Sequence, residues 1–251
     1  MRYNCALMLI LCLDTSTDAC SIAVTDGGEV MLVKGERMCR LQESAAEHAR
    51  QLPVFVNDLM ERLYAEGIRI DAVAVSGGPG SYTGLRIGAS FAKGLAYGLR
   101  VPLVAVPTLQ LMAAVAAKRT EVRDDLTLCP MLDARRMEVY TALYTPYLAE
   151  KDATTAVVVS DDFRKAESAA GNVAFFGNGM PKCRDILGKN KSSVFIENII
   201  PDASYMGTLA EERLAANKTE DVAYWTPYYL KEFEAKHSVV KGLTVSTGAT
   251  H

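Results

Sequence analysis

Two aspartates stand where a nucleotide-binding protein could hold a metal ion. Asp14 follows the apolar residues 8–13, and Asp133 follows a similar run in the second half of the chain. Each carboxylate precedes a turn, so the pair could hold hydrated Mg²⁺ if a nucleotide lay between the two halves. The second turn contains Arg135 and Arg136 but no glycine that would let the backbone approach a phosphate. The two arginines could instead bind a phosphate or carboxylate, or form surface salt bridges.

Two glycine-rich strings could bind phosphate or nucleoside. Residues 77–84 read GGPGSYTG between a predicted strand and a predicted helix, a place where anions often bind. This string does not end in the Gly-Lys-Ser/Thr of a P-loop, and its glycines are spaced one residue too widely for a dinucleotide fingerprint. Gly177 and Gly179 could cradle an adenosine. Each string is also compatible with a plain tight turn between a strand and a helix.

Metal and nucleophile chemistry find little support in the sequence. The histidines, His48, His237 and His251, are far apart, and no His-x-x-x-His pair is present. The six cysteines include no Cys-x-x-Cys pair. No Gly-x-Ser-x-Gly motif or credible histidine partner points to a serine hydrolase. We therefore expect no metal, no cofactor and no hydrolase triad.

The charge balance limits the classes of partner. The 251 residues carry 27 basic and 30 acidic side chains, for a formal charge of −3. Without a global positive field, contact with nucleic acid must be local or delegated to another protein. No apolar stretch reaches the roughly 18 residues of a membrane span. Translation could also start at Met8 instead of Met1. Reduced thiols fit best, so we expect a cytoplasmic protein without a membrane contact.

Periodicity predicts strands and helices mixed along the chain. In the first half the predicted elements are strands at 8–13, 20–24 and 30–33, a helix at 45–63, a strand at 71–76, a helix at 83–99, a strand at 101–106 and a helix at 108–118. In the second half they are strands at 128–133, 138–143 and 173–176, helices at 181–187 and 204–216, and an aromatic segment at 224–230. The second half opens much as the first does, which suggests duplication. This order predicts an α/β protein with two related sheets.

The helix predicted at residues 83–99 is apolar nearly all round. One face carries Leu85, Ala89, Ala92, Leu95 and Leu99, and we expect the opposite face to carry Ile87, Phe91 and the glycines at 84, 88, 94 and 98. Only Arg86 and Lys93 are charged. Such a helix must be covered on both sides. The second cover is either this chain or another subunit.

Several strings resemble the bacterial TsaB family, once called YeaZ. Residues 9–17 (LILCLDTST) are similar to the family's start, and residues 78–88 (GPGSYTGLRIG) to its signature. Further similar segments are HARQLP at 48–53, DARRMEVY at 133–140 and YYLK at 228–231. The resemblance covers about residues 8–235.

The resemblance implies a two-lobed α/β fold of the actin, Hsp70 and sugar-kinase type, which is ribonuclease H-like. The implied lobes are 1–106 and 107–235, with the final helix able to return to the first lobe, followed by a polar tail at 236–251. The implied role is that of a non-catalytic partner of TsaD in making threonylcarbamoyladenosine in ANN-decoding tRNA. The ATPase TsaE joins the two, tRNA is reached only through the complex, and the isolated protein can form a homodimer.

The resemblance also places the protein contact on two helices of the first lobe. The predicted interface residues are His48, Leu52, Val56, Leu59, Thr83, Leu85, Arg86, Ile87, Ala89 and Phe91. Two rival functions remain open: an active ATPase or phosphotransferase of the same fold, and a TsaD-like catalyst. The glycine-poor second turn disfavours the first rival, and the missing histidine pair disfavours the second.

Overall fold

A computed structural model describes residues 8–31, 38–42, 45–120 and 124–231, with only the backbone described for 38–42, 45–49 and 51. The predicted polar tail, His237 and His251, and the residues that precede Met8 lie outside this part, as does the side chain of His48.

The first sheet grows from an apolar hairpin. Its strands are β1 (Leu9–Asp14), β2 (Ala19–Asp26), β3 (Glu29–Val30), β4 (Met38–Gln42), β5 (Ala72–Ser76) and β6 (Leu103–Val106). The order is β3-β2-β1-β5-β6, and β4 also pairs with β2. β2 is antiparallel to β1, β3 and β4, whereas β5 is parallel to both β1 and β6. Because β1 and β2 are buried on both faces, their sequences are continuously apolar or small.

The second sheet repeats this topology. Its strands are β7 (Leu126–Asp133), β8 (Glu138–Tyr144), β9 (Glu150–Val158), β10 (Asn172–Phe176) and β11 (Ser193–Ile196), in the order β11-β10-β7-β8-β9. β7 pairs antiparallel with β8 and parallel with β10, as β1 does with β2 and β5. The outer strands β9 and β11 match β3 and β6 in direction. The predicted α/β fold with two related sheets is therefore confirmed.

Helices cover both faces of the first sheet. The described helices are α1 (Ala45–Ala65), α2 (Tyr82–Leu99), α3 (Thr108–Arg119), α4 (Lys165–Ala170), α5 (Arg184–Leu187) and α6 (Gly207–Ala215), with short 3-10 turns at Pro181–Cys183 and Ala203–Tyr205. Of these, α1, α2, α3 and α6 pack against the first sheet. Leu11 and Leu13 of β1 point into a core that they share with α1 and α2. The alternate residues Ile10 and Cys12 point to the other face, where they join a core with α3 and α6.

Helix α3 lies between the two sheets. Leu111 packs into the core below the first sheet, whereas Leu109 and Met112 pack into a core with the second sheet. The helix is buried along most of its length, as the continuously apolar residues 111–117 require. None of the described helices is both long enough and apolar enough to cross a bilayer.

The structure refines several predicted elements. The predicted helix at 181–187 is a 3-10 turn followed by α5, and that at 204–216 is a 3-10 turn followed by α6. Of the strand predicted at 30–33, Val30 belongs to β3 and Met31 lies beyond its end, whereas 32–33 lie outside the described residues. Strands β4, β9 and β11 and helix α4 have no counterpart in the prediction. The aromatic segment at 224–230 contains neither helix nor strand.

Candidate functional site

An open groove lies between helices α1 and α2 on the outer side of the first sheet. Its volume is about 720 Å³. The lining residues are Leu52, Pro53, Tyr82, Thr83, Arg86, Ile87, Ser90 and Phe91. Five of them belong to the predicted interface set, and Pro53, Tyr82 and Ser90 do not.

The helical repeat explains which side chains of α2 line the groove. Tyr82, Arg86 and Ser90 form one row at intervals of four residues, and the row beginning at Thr83 continues through Ile87 and Phe91. Residues four apart lie one above another on a helix. This spacing is the sequence signal that could have added Tyr82 and Ser90 to the predicted set. Ser81 caps the start of the helix, because its hydroxyl accepts a hydrogen bond from the Gly84 amide at 3.3 Å.

The predicted interface residues divide into accessible and buried groups. Thr83 and Arg86 are exposed, and Leu59, Ile87 and Phe91 are half-buried. The remaining predicted residues with described side chains, Leu52, Val56, Leu85 and Ala89, are at most 4% exposed and pack inside the chain's own core. The accessible groups are the ones that a partner could contact without rearrangement of the core.

The assignment of glycines to the outer face of α2 is partly wrong. Gly84 and Gly88 are buried, because they face the backbone and side chain of Thr15 on the first hairpin. A Cβ at Gly84 would collide with the Thr15 carbonyl oxygen, so this position requires glycine. Gly94 and Gly98 do face outward and border open space. Since α2 is apolar nearly all round, hydrophobicity alone did not identify its inner face.

One flank of α2 is covered by a late segment of the same chain. Lys93 Nζ donates to the carbonyl oxygens of Ala223 and Trp225, at 3.1 and 3.0 Å. The ring of Tyr229 packs against that of Tyr82 with centroids 4.9 Å apart. The groove on the other flank remains uncovered by the described residues. Thus the chain itself provides part of the second cover that the sequence demands.

The turn after β1 is enclosed. Asp14 is 0% exposed, and its Oδ1 accepts hydrogen bonds from the Ser16 amide at 3.3 Å, the Ser16 hydroxyl at 2.7 Å and the Ser76 hydroxyl. Its Oδ2 has no hydrogen-bond partner among the residues that the structure describes. Burial raises the pKa of Asp14, against the effect of these hydrogen bonds. This carboxyl cannot meet a hydrated metal ion unless the surrounding elements move.

The glycine-rich string at residues 77–84 fills the space beside this turn. The Ser81 amide donates to the Ser16 carbonyl oxygen at 2.7 Å, and the Thr15 hydroxyl donates to the Gly84 carbonyl oxygen at 2.8 Å. A Cβ at Gly80 would collide with the Ser16 carbonyl oxygen. The string therefore packs the start of α2 against the hairpin, and these contacts favour the tight-turn interpretation.

The turn after β7 is a different environment. Asp133 is exposed and forms an ion pair with Lys182. Its amide donates to Asn178 Oδ1 at 2.9 Å. Gly177 and Gly179 are buried against the end of β7, so neither borders open space that could admit an adenosine. The structure thus gives Asp14 and Asp133 unlike surroundings rather than a matched pair.

Charged side chains gather around the β7–β8 turn. Lys182 Nζ also donates to the Glu138 carbonyl oxygen at 2.7 Å, and Lys231 pairs with the Glu138 carboxylate. Burial raises the pKa of Tyr140, on which the charges of Lys231, Glu138 and Arg135 also act. Within the described ranges, no group of three or more potential metal-ligating side chains is found.

A family model and individual relatives place the chain in the same family. The family model for TsaD, tRNA N6-adenosine threonylcarbamoyltransferase, matches residues 42–247. The chain is 31% identical to the tRNA threonylcarbamoyladenosine biosynthesis protein TsaB of Escherichia coli (strain K12), over 89% of this chain and 95% of that protein. It is 27% identical to the TsaB of Haemophilus influenzae (strain ATCC 51907 / DSM 11121 / KW20 / Rd), over 89% of this chain and 94% of that protein.

Solved structures give the same result. A Pseudomonas aeruginosa protein described as similar to peptidase YEAZ superposes with a TM-score of 0.71 at 25% identity, covering 89% of this chain and all of that one. YeaZ from Pseudomonas aeruginosa superposes with a TM-score of 0.68 at 26% identity, with the same coverage. Sequence and fold therefore agree over nearly nine-tenths of the chain.

Proposed function

This chain belongs to the TsaD family and, within it, to the TsaB proteins of tRNA threonylcarbamoyladenosine biosynthesis, and we propose that it serves that pathway as a non-catalytic partner subunit. The partner is a TsaD-type transferase, and a TsaE-type ATPase joins the assembly. The substrate is ANN-decoding tRNA, which the complex presents to the transferase. This role supports a cytoplasmic location.

The open α1–α2 groove carries this proposal. Its rim and floor combine apolar Leu52, Ile87 and Phe91 with the longer polar side chain of Arg86. Aromatic and arginine side chains around an apolar centre are typical of protein interfaces. The Arg86 guanidinium lies 5.6 Å from the centroid of the Tyr82 ring, which holds the charge at the edge of the groove. We therefore expect the helices of a partner to fill it, or those of a second copy when the protein is isolated.

The enclosed Asp14 turn supports the non-catalytic part of the proposal. In a phosphotransferase of this fold, the turn would have to approach phosphate and metal. Here Asp14 and Ser16 are 0% exposed, and the start of α2 fills the space beside them. Stabilising a buried carboxylate requires compensating charge, and no cation among the described residues lowers the pKa of Asp14. The ATPase alternative finds no supporting contact in this part of the molecule.

Reconstitution of the modification tests the proposal. TsaD-type and TsaE-type proteins from the same organism would be combined with ANN-decoding tRNA, substrates and ATP, with and without this chain, and threonylcarbamoyladenosine would be measured by mass spectrometry. We expect product only when the chain is present. Equal product in its absence would contradict the partner role, and product formed by this chain alone would identify it as the catalyst.

Calorimetry with ATP distinguishes the proposed partner role from the ATPase alternative. Because Asp14 is enclosed, we expect no micromolar binding of ATP to the full-length isolated chain. A micromolar dissociation constant that is lost in Asp14→Asn would favour the alternative. Asp18→Asn, at an exposed position in the same hairpin, is the matched control.

A further inference from the structure

The turn between β7 and β8 presents two arginines with no partner among the described residues. Arg135 and Arg136 are both exposed, with φ angles of 72° and 49°. This left-handed conformation is uncommon for residues other than glycine. No hydrogen bond or ion pair of either guanidinium is found within the described ranges. Two full positive charges are therefore available at the tip of this hairpin.

The acids beside the two arginines are already neutralised. Asp133 pairs with Lys182, and Glu138 pairs with Lys231. Around the turn, four cations (Lys182, Lys231 and the two arginines) face two carboxylates, which leaves a local excess of two positive charges. This excess contrasts with the formal charge of −3 for the whole chain. A local positive site is the arrangement through which an acidic protein can contact a polyanion.

Three of the five backbone amides from Ala134 to Glu138 donate hydrogen bonds within the turn and are not available to bind a phosphate. The amides of Ala134 and Glu138 donate within the turn, to the Glu138 and Arg135 carbonyl oxygens, each at 3.1 Å. The Arg135 amide donates to Asp133 Oδ1 at 3.0 Å. A nucleotide phosphate held in a hairpin requires such amides to be free. The two arginine side chains are long and exposed, which suits contacts with the outside of an extended phosphate backbone.

We propose that Arg135 and Arg136 contact the phosphodiester backbone of the RNA substrate in the assembled complex. This inference rests on the proposed function, because it requires that the complex bind tRNA. It assigns to this chain a direct part in holding the RNA. Such contacts position the RNA without reading its sequence.

Salt-dependent binding tests the proposal. The full-length chain, assembled with its TsaD-type partner, would be titrated into fluorescently labelled ANN-decoding tRNA across about 50–200 mM KCl. For R135Q/R136Q we expect the slope of log affinity against log salt to become shallower by about 1.4–1.8, since each phosphate contact contributes about 0.7–0.9. Affinity should fall roughly 25–60-fold at about 0.1 M salt. R135K/R136K, which keeps both charges, should retain most of the slope.

A matched control removes the same charge elsewhere. R184Q/K189Q deletes two cations of the second sheet's periphery that are already paired with Glu197 and Asp161. We expect it to keep the wild-type slope and affinity. Gel filtration of each variant with the partner confirms that assembly is intact.

The remaining outcomes separate the two hypotheses. If the wild-type complex modifies and binds tRNA but R135Q/R136Q has the wild-type slope, the RNA contact is wrong and the proposed function stands. If the wild-type complex neither binds nor modifies tRNA, both fall. If ATP binding to the full-length chain is lost in R135Q/R136Q while the tRNA slope is unchanged, the turn binds nucleotide phosphates and the RNA proposal is overturned.

Discussion

The ring of Tyr229 packs against the ring of Tyr82, with centroids 4.9 Å apart and planes inclined at 46°. The two residues are far apart in the sequence. Next to them, the Tyr228 amide donates to the Gly77 carbonyl oxygen at 2.7 Å. The late segment is thereby fixed to the start of α2. Because Tyr82 also lines the α1–α2 groove, this contact connects the chain's own packing to the proposed partner surface.

Removal of the Tyr229 ring should loosen the start of α2. We expect Tyr229→Ala to lower the free energy of unfolding by at least about 0.5–1.5 kcal/mol, the contribution typical of an aromatic pair. Partner binding should weaken as well, because Tyr82 loses its support. Urea denaturation and a pull-down with the TsaD-type protein measure the two effects. Tyr224→Ala is the matched control, since Tyr224 is 85% exposed. If the two variants had the same free energy of unfolding and the same partner binding, the contact between the two rings would not stabilise the start of α2.

A charge in the groove should prevent assembly without unfolding the protein. We expect Phe91→Asp to weaken binding of the TsaD-type partner at least about 30-fold, as for a hot-spot residue. Co-purification and gel filtration test this, with circular dichroism to confirm the folded state. Tyr97→Asp on the same helix is the control, because Tyr97 is 79% exposed and lies outside the groove lining. Ala89 is unsuitable as a probe, since it is 4% exposed and a charge there would enter the core.

Retention of the partner by Phe91→Asp would show that the groove is not the contact surface. Loss of the partner by both Phe91→Asp and Tyr97→Asp would instead extend the contact beyond the groove. The two results are distinguishable because both variants add the same charge to one helix.

Regular periodicity made much of the fold predictable. The helices predicted at 45–63, 83–99 and 108–118 agree with α1, α2 and α3 to within two residues at each end, because each has a strong 3.6-residue signal or an apolar composition. Strand β9 was missed for the opposite reason. It is an edge strand with charged and small residues such as Glu150 and Lys151, and pairing with β8 rather than its own pattern makes it a strand.

The candidate site was predictable in part. Thr83, Arg86, Ile87 and Phe91 were predicted as interface residues, and the structure brings them to one groove with Leu52. The sequence could not reveal that Leu85 and Ala89 face the sheet, because α2 is apolar on nearly every side. The contact between Tyr82 and Tyr229 depends on the return of a segment without regular structure, which leaves no periodic signal. That a partner fills the groove stays a prediction, as does the division into lobes 1–106 and 107–235.

Two glycines of α2 should respond in opposite directions to the same substitution. Gly84→Ala places a methyl group against the backbone of Thr15, which cannot yield as a flexible side chain would. We expect a loss of about 1–3 kcal/mol in the free energy of unfolding. Gly94→Ala meets open space and should gain about 0.5–1 kcal/mol from helix propensity. Urea denaturation measures both, and effects of the same sign would contradict the orientation assigned to α2.

The buried carboxyl of Asp14 should make stability depend on pH in an unusual direction. Its pKa in the folded protein is raised by burial above the ordinary value of 3.8. As pH rises above about 4, the unfolded chain loses this proton before the folded chain does, so the unfolded state is favoured. This group should therefore lower the free energy of unfolding by up to about 1.4 kcal/mol per pH unit, until the raised pKa is passed. Other titratable groups also make the free energy of unfolding depend on pH. The contribution of Asp14 is therefore measured as the difference between the wild type and a variant without this carboxyl.

Asp14→Asn isolates this contribution. The amide keeps an oxygen that can accept from Ser16 and Ser76, and it removes the charge that burial disfavours. We expect the variant to be at least as stable as the wild type near pH 7, with a smaller decline in stability between pH 4 and the raised pKa. Asp18→Asn removes an exposed carboxylate from the same hairpin and should follow the wild-type profile. Denaturation midpoints at several pH values would decide the question. Parallel profiles for Asp14→Asn and the wild type, with lower stability throughout, would mean that the folded protein holds Asp14 ionised and that an unseen cation or water satisfies its Oδ2.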